Sequence, residues 1–255
     1  MRKLGRFMGL VAWILLVSTC GDYKESPLNE KVNIKTANPT HFVAKKMISL
    51  ESGEGQALLQ GHDAPDYFPL KKNWVAQLRM HCCAASSVIV MNSLQLGKNY
   101  TQNNLFIPET AHIITQDEVF RGKFTLEKLA DIIHTRSGLK TEYYHAGLGK
   151  SEYDYSKFLE HLKKNRKSPN DHIIINYSLA SIRGKGTRRG HCSPVAAYNE
   201  EKDMVLMLEV KGKFKVLWLE LGGKPFWISS KDIYTAMNTI DPVCDRHRGW
   251  LIVRK

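Results

Sequence analysis

An α+β fold is predicted for this 255-residue chain by two features of its patterning. Apolar residues at helical spacing fill the first two-thirds, and from Asp171 onward short β-branched runs take over, without the strict alternation of a parallel α/β sheet. A third feature locates the centre. Residues 82–94 leave no polar face until Asn92, which predicts a buried helix around which the rest packs.

Residues 1–20 read as an export signal, with Arg2, Lys3 and Arg6 as a charged start and residues 10–17 as an apolar core too short to span a bilayer. The run Val17-Ser18-Thr19-Cys20-Gly21 is similar to a bacterial lipoprotein cleavage site, with Cys20 as the lipidated residue; plain secretion is the other reading. Residues 21–40 are polar and weakly patterned, as a flexible tether would be. Residues 41–255 are then the folded domain, and the bacterial periplasm its expected location, with the membrane as partner if Cys20 carries lipid. Removal of residues 1–19 takes three positive charges from a total of +12 and leaves +9. The lysines and arginines are scattered and no nucleic-acid motif accompanies them, so a solvated face near anionic lipid accounts for the charge better than nucleic acid does.

Within the domain, residues 49–55 predict a turn that leads into a short helix over 56–59. Two prolines and two aspartates make 63–70 a loop. The central helix follows, with Gly97 as its stop. Helices are also expected over 110–115, over 124–136, where Leu126, Leu129, Ile132 and Ile133 recur at spacings of three and four, and over 153–164. Strands are expected at 172–177, 193–198, 204–210, 213–219 and 250–253. No internal repeat or low-complexity tract occurs.

Chemistry concentrates at the mouth of the central helix. Cys82 and Cys83 stand there, where unpaired backbone N–H groups and the positive end of the helix dipole favour thiolate over thiol. Glu209 lies in the otherwise apolar run 204–210, where an unpaired carboxylate is costly, so it requires a partner. If the polar turn 199–203 closes symmetrically, Tyr198 faces Met204, paired residue numbers sum to 402 and Ser193 faces Glu209. His191 is then the diagonal neighbour of Glu209, roughly 7–8 Å away at Cα. A helix-mouth cysteine, a histidine to take its proton and a carboxylate to orient the ring make a thiol-hydrolase triad, and Gln77 offers a side-chain N–H for the oxyanion. The bland readings are a small core residue for Cys82 and a structural ion pair for Glu209.

The five cysteines are Cys20, Cys82, Cys83, Cys192 and Cys244; they form no CxxC pair, and neither His81-Cys82 nor His191-Cys192 has zinc-finger spacing. Cys83 and Cys192 are read as packing residues beside the site, with a disulfide near the nucleophile or a soft-metal site shared with Cys82 as alternatives. His62, His112 and His145 show no ligand spacing and are read as surface or loop residues.

These residues also resemble a known family. Residues 82–94, CCAASSVIVMNSL, are similar to the YCGxAS…VLNSL segment of phytochelatin synthases, particularly the short bacterial ones that resemble glutathione hydrolases. Gly190-His191-Cys192-Ser193-Pro194 with Ala197-Tyr198-Asn199-Glu200 is similar to their GHxSP…AYNE segment, and Ala236-Met237-Asn238-Thr239-Ile240-Asp241 to their AMNTVD, in a similarity running from about Ser49 to Lys255. The resemblance implies a papain-like cysteine peptidase fold, a helical lobe followed by an antiparallel β-sheet lobe. It also implies a triad of Cys82, His191 and Glu209, with attack on the Cys–Gly bond of glutathione. Glycine leaves and a γ-glutamylcysteinyl thioester forms, resolved by water in a hydrolase or by a second glutathione in a phytochelatin synthase. The long cysteine-rich C-terminal region of the plant enzymes has no counterpart in this sequence, so hydrolysis is expected to prevail over transfer. Cys83, Asn176, Tyr177, Gly190, Cys192 and Arg248 are the expected substrate contacts. No cofactor is required on this reading; a soft metal ion such as cadmium, zinc or copper would enter as a thiolate with substrate. A homodimer is compatible with the sequence. The alternative is a non-catalytic exported metal- or thiol-binding protein that keeps the fold.

The chain departs from the family pattern in four places. Cys83 replaces a glycine, which leaves two adjacent thiols; counting from Gln77 favours Cys83 as nucleophile, whereas the helix register through Asn92-Ser93-Leu94 favours Cys82. The helix register is followed, because a one-residue deletion is easier in the loop 78–81. The family aspartate falls on Glu209. The family arginine has no counterpart beside Asn176-Tyr177, which leaves the loop 183–189 to supply other cations for a substrate carboxylate. Residues 211–223 are longer than the pattern and suggest an extra hairpin beside the site.

Overall fold

In a computed structural model of the chain, residue 44 and residues 46–60, 64–94, 97–147, 152–184, 189–212, 214–216, 219–221 and 224–255 are described. The signal and tether expected over residues 1–40, Cys20 included, lie outside the described residues, as does His62. A short strand β1 (Met47–Ser49) precedes α1 (Gly53–Leu59), α2 (Tyr67–Lys72) and α3 (Cys82–Ser93). A 3-10 turn at Pro108–Thr110, α4 (Gln116–Phe120) and α5 (Leu126–Ser137) complete the helical half, and β2 (Lys140–Ala146) and β3 (Glu152–Tyr153) follow. Next come α6 (Tyr155–Asn165), β4 (Asp171–Ser178), α7 (Leu179–Arg183), β5 (Gly190–Asn199) and β6 (Met204–Met207). The hairpin β7 (Phe214–Val216) and β8 (Leu219–Leu221), then β9 (Phe226–Ser229), α8 (Ser230–Met237), the pair β10 (Ile240–Asp241) and β11 (Arg246–His247), and β12 (Gly249–Arg254) close the chain.

Eight strands form one sheet in the order β1-β9-β6-β5-β4-β12-β2-β3, antiparallel throughout except between β2 and β3. The fold is α+β, as expected. Helices cover both faces of the sheet. Ile174 of β4 and Leu251 and Val253 of β12 join the core built on α3 and α5, while Ile173, Ile175 and Tyr177 of β4 and Trp250 and Ile252 of β12 join the core under α6 and α8. Burial on both faces is why these strands read as continuous apolar runs rather than alternating ones.

Ten of the twelve residues of α3 are buried. Its serines carry no unmet polar atoms into that core: Ser86 and Ser87 donate to carbonyls one turn back, and Ser93 donates to Val90 O at 2.7 Å. The helix stops at Leu94, ahead of Gly97, which takes a left-handed conformation at φ +69°.

Several expected elements differ, among them the strand over 213–219, which is the hairpin β7–β8. The loop at 63–70 contains the start of α2, because Pro69 sits in its first turn, where a missing N–H removes no helical bond. Helix over 110–115 gives way to the 3-10 turn; the true start is Thr115, whose hydroxyl accepts from Glu118 N while Glu118 Oε2 accepts from Thr115 N, a capping box for α4. Strand β6 ends at Met207, three residues short of the expected 210.

The β5–β6 hairpin corrects the expected register and explains why its consequence survives. Asn199 pairs with Met204 and Tyr198 with Val205, so Tyr198 does not face Met204. A bulge between Val195 and Ala197 then absorbs the extra residue, and Val195 pairs with Met207. From there Leu208 N donates to Pro194 O at 2.9 Å, and Glu209 arrives beside His191 after all.

Candidate active site

Cys82 is the first residue of α3, a half-buried residue whose thiol is free. His81, at the N-cap, makes no side-chain capping bond, so no side chain neutralises the positive end of the helix. Burial alone would push the Cys82 thiol up, but a hydrogen bond and the charge from His191, with backbone N–H groups of Cys192 and Cys83, bring it below the ordinary thiol value.

His191 is the second residue of β5 and is 6% exposed. Its Nε2–H donates to Glu209 Oε1 at 2.6 Å. That bond leaves Nδ1 as the ring nitrogen for the thiol, to which His191 is also hydrogen-bonded. Tyr177, paired with His191 across β4 and β5, sets its ring edge-on to the imidazole at 5.5 Å. Burial disfavours the imidazolium, yet the Glu209 carboxylate and the Cys82 sulfur outweigh it and raise His191 to about 10.

Glu209, fully buried, has each of its three oxygens held. Oε1 also accepts from Lys211 N at 2.9 Å, Oε2 accepts from Arg183 Nη2 at 3.2 Å, and its carbonyl accepts from Trp74 Nε1 at 3.0 Å. Burial raises its carboxyl, but the His191 charge and these donors hold it below the ordinary value.

The segment before α3 is stitched along this strand end. Gln77 N donates to Val210 O at 2.8 Å, and Gln102 clasps the segment by donating to Ala76 O and accepting from Leu78 N, both at 2.8 Å. Gln77 therefore lies next to the strand carrying Glu209, and its Oε1 has no hydrogen-bond partner among the described residues. Met80, at φ +64°, then turns the chain into α3.

Cys83 and Cys192 are bonded to each other, the disulfide that stood as an alternative to two packing residues, so neither offers a free thiol. The bond joins the residue after Cys82 to the residue after His191. The Sγ atoms of Cys82, Cys83 and Cys192 lie within 4.8 Å of one another, which is close enough for a soft-metal set. With two of the three sulfurs in the disulfide only Cys82 keeps a thiolate to offer, so this state does not fit a resident ion.

The other expected contacts lie largely inside the protein. Tyr177 has no exposed surface, and its hydroxyl lies 3.3 Å from Ser193 Oγ. Arg248 is buried rather than solvated, with Nη1 donating to Thr239 O, Thr239 Oγ1 and Ile240 O. Asn176 is buried as well, and Gly190 makes room for it: a Cβ at 190 would lie 2.8 Å from Asn176 Oδ1. His145 is not a surface residue; it is buried, with Nε2 bonded to Glu127 Oε1 at 2.9 Å. Trp74 and the Lys211 N–H are parts of the site with no forewarning in the sequence, and Arg183, expected among the cations of 183–189 for a substrate carboxylate, meets the Glu209 carboxylate instead. A buried glutamate signals that donors must exist, but not which ones.

Residues 39–250 match the family described as phytochelatin synthase. Among curated proteins, the chain is 27% identical over 183 residues to glutathione gamma-glutamylcysteinyltransferase 2 of Arabidopsis thaliana, covering 68% of this chain and 36% of that protein. It is 26% identical to glutathione gamma-glutamylcysteinyltransferase 1 of the same plant, covering 82% and 42%, and 25% identical to that of Triticum aestivum, covering 82% and 40%. The matched part is thus about two-fifths of each relative's length.

Proposed function

The chain belongs to the phytochelatin synthase family, and from that premise we propose that it is a thiol hydrolase that opens the Cys–Gly bond of glutathione through a thioester on Cys82. The observation that carries the reading is the continuous line from the Cys82 thiol through His191 to the buried Glu209. The names of the curated relatives support glutathione as substrate.

The Cys82 thiolate attacks the carbonyl carbon of the Cys–Gly peptide bond, and the carbonyl electrons move to oxygen. The Gln77 amide N–H and the backbone N–H groups at the start of α3 stabilise that oxyanion. The tetrahedral intermediate collapses, His191 gives its proton to the departing glycine nitrogen, and the γ-glutamylcysteinyl group remains on sulfur. His191, now neutral, takes a proton from water, whose oxygen attacks the thioester; γ-glutamylcysteine leaves and the proton returns the thiolate–imidazolium pair to its start. Glu209 holds the ring in line and balances its charge at each stage.

The test is glycine release from glutathione. Cys82→Ala should abolish it, while Cys83→Ala should keep most of it; equal loss in both would undo the assignment. Products identify the acceptor: free γ-glutamylcysteine marks water, the expected major route, and longer γ-glutamylcysteinyl peptides mark a second glutathione. Export, with a lipid on Cys20, is part of the proposal. It is supported by the pattern of residues 1–20 and by the disulfide, which suits an oxidising compartment. Palmitate labelling that persists in Cys20→Ser would contradict the anchor.

A further inference from the structure

We propose that Arg183 is a positioning residue for this chemistry: it pins the second carboxylate oxygen of Glu209 and keeps that acid ionised while His191 gives up and regains its proton. The proposal rests on the hydrolase reading and adds a fourth member to the line.

Glutamate has one more rotatable bond than aspartate, so a buried glutamate needs more contacts to hold one orientation. Oε1 is engaged twice, by His191 Nε2 at 2.6 Å and Lys211 N at 2.9 Å, and Arg183 Nη2 at 3.2 Å fixes the plane through Oε2. The arginine is delivered by a short, well-closed element. It is the last residue of α7, which is capped at its start by Ser178 Oγ accepting from Ser181 N, and at its end by Gly184 at φ +68° donating to Ala180 O. That helix follows directly from β4, whose Tyr177 sets its ring edge-on to His191.

The electrostatic need arises within the catalytic cycle. Among the described residues, the charged and titratable groups facing His191 and Glu209 are Cys82 from α3, Tyr177 from β4 and Arg183 from α7. When His191 passes its proton to the leaving amine, the Glu209 carboxylate, with no exposed surface, loses its cationic neighbour and burial favours its protonation. A protonated Glu209 would no longer hold His191 as a base. Arg183 supplies a positive charge that does not depend on the proton of His191, since a guanidinium is a delocalised cation, and at 31% exposure it keeps contact with water.

The experiment compares Arg183→Met and Arg183→Lys for kcat, KM and pH profile, alone and with Glu209→Gln, with a thermal unfolding trace for each variant. Arg183→Met should lower kcat about tenfold, the loss of one charged hydrogen bond, with KM unchanged, and Arg183→Lys should recover part of it. In the Glu209→Gln background Arg183→Met should add no further loss. Loss of the cation should also move the alkaline limb of the profile upward, since it removes a charge that opposes the imidazolium. A raised KM at constant kcat would make Arg183 a substrate ligand and overturn the proposal, as would a full additional loss beside Glu209→Gln. The rate of Cys82 alkylation against pH provides a readout that needs no turnover. A wild-type protein that releases no glycine defeats the hydrolase reading, whereas an Arg183→Met alkylation profile identical to wild type defeats the Arg183 role.

Discussion

Replacing Glu209 by aspartate, the acid of the family pattern, should impair the proposed hydrolysis. Removing one methylene withdraws the carboxylate by about 1.5 Å, one C–C bond. The 2.6 Å bond to His191 then opens to about 4.1 Å, beyond hydrogen-bond range. The same retreat takes the carboxylate away from Lys211 N at 2.9 Å and Arg183 at 3.2 Å. A hydrogen bond to a charged group contributes roughly 1.5–3 kcal/mol, and about 1.4 kcal/mol is tenfold in rate. On that scale kcat for glycine release should fall about 10- to 150-fold. KM should hold, because Glu209 is fully buried behind His191 and touches no substrate. The assay is glycine release at saturating glutathione, with an unfolding curve to show that the variant folds. A Glu209→Asp enzyme as fast as wild type would refute the idea that Arg183 and the strand end are built for glutamate.

Glu209→Gln removes the charge that holds His191 up near 10. His191 should then titrate lower and, as its imidazolium is lost, Cys82 should titrate higher, so the plateau of kcat/KM against pH narrows from both sides; an unchanged plateau would contradict the ion-pair account. Alkylation without reductant followed by peptide mapping should label Cys82 and Cys244 and leave Cys83 and Cys192 joined. Labelled Cys83 in the folded, unreduced protein would remove the disulfide from the account. Opening that bond with Cys83→Ala/Cys192→Ala, across a sequence separation of 109, should lower stability to urea by about 2–4 kcal/mol. Glycine release should stay within a few-fold, and a loss as deep as that of Cys82→Ala would contradict the roles assigned to the two cysteines.

Where one physical cause dominated, the fold could be read from the residues. The run 82–93 is apolar all round because it is buried all round, and 171–178 and 249–254 are continuous because the sheet is covered on both faces. Strand β2 was hidden for the opposite reason: Lys140, Glu142 and Tyr143 are exposed near the sheet edge, and no alternation marks it. The candidate site was legible as far as the meeting of Cys82, His191 and Glu209. His191 and Glu209 were brought together on a register that is wrong at the turn, and a bulge at Val195–Ala197, for which the sequence carries no signal, set the pairing right where it mattered. Bonds that span the chain were beyond reach. The Cys83–Cys192 pairing depends on α3 meeting β5, and the grip of Arg183 on Glu209 depends on where a five-residue helix ends.

The most direct measurement is the mass of the protein quenched in acid during turnover of glutathione, followed by fragmentation of the peptide that contains residues 82 and 83. The account predicts one γ-glutamylcysteinyl group on Cys82, labile to hydroxylamine as a thioester is, with one glycine released for each group bound. A group on Cys83, or a whole glutathione attached through a disulfide with no glycine released, would contradict it.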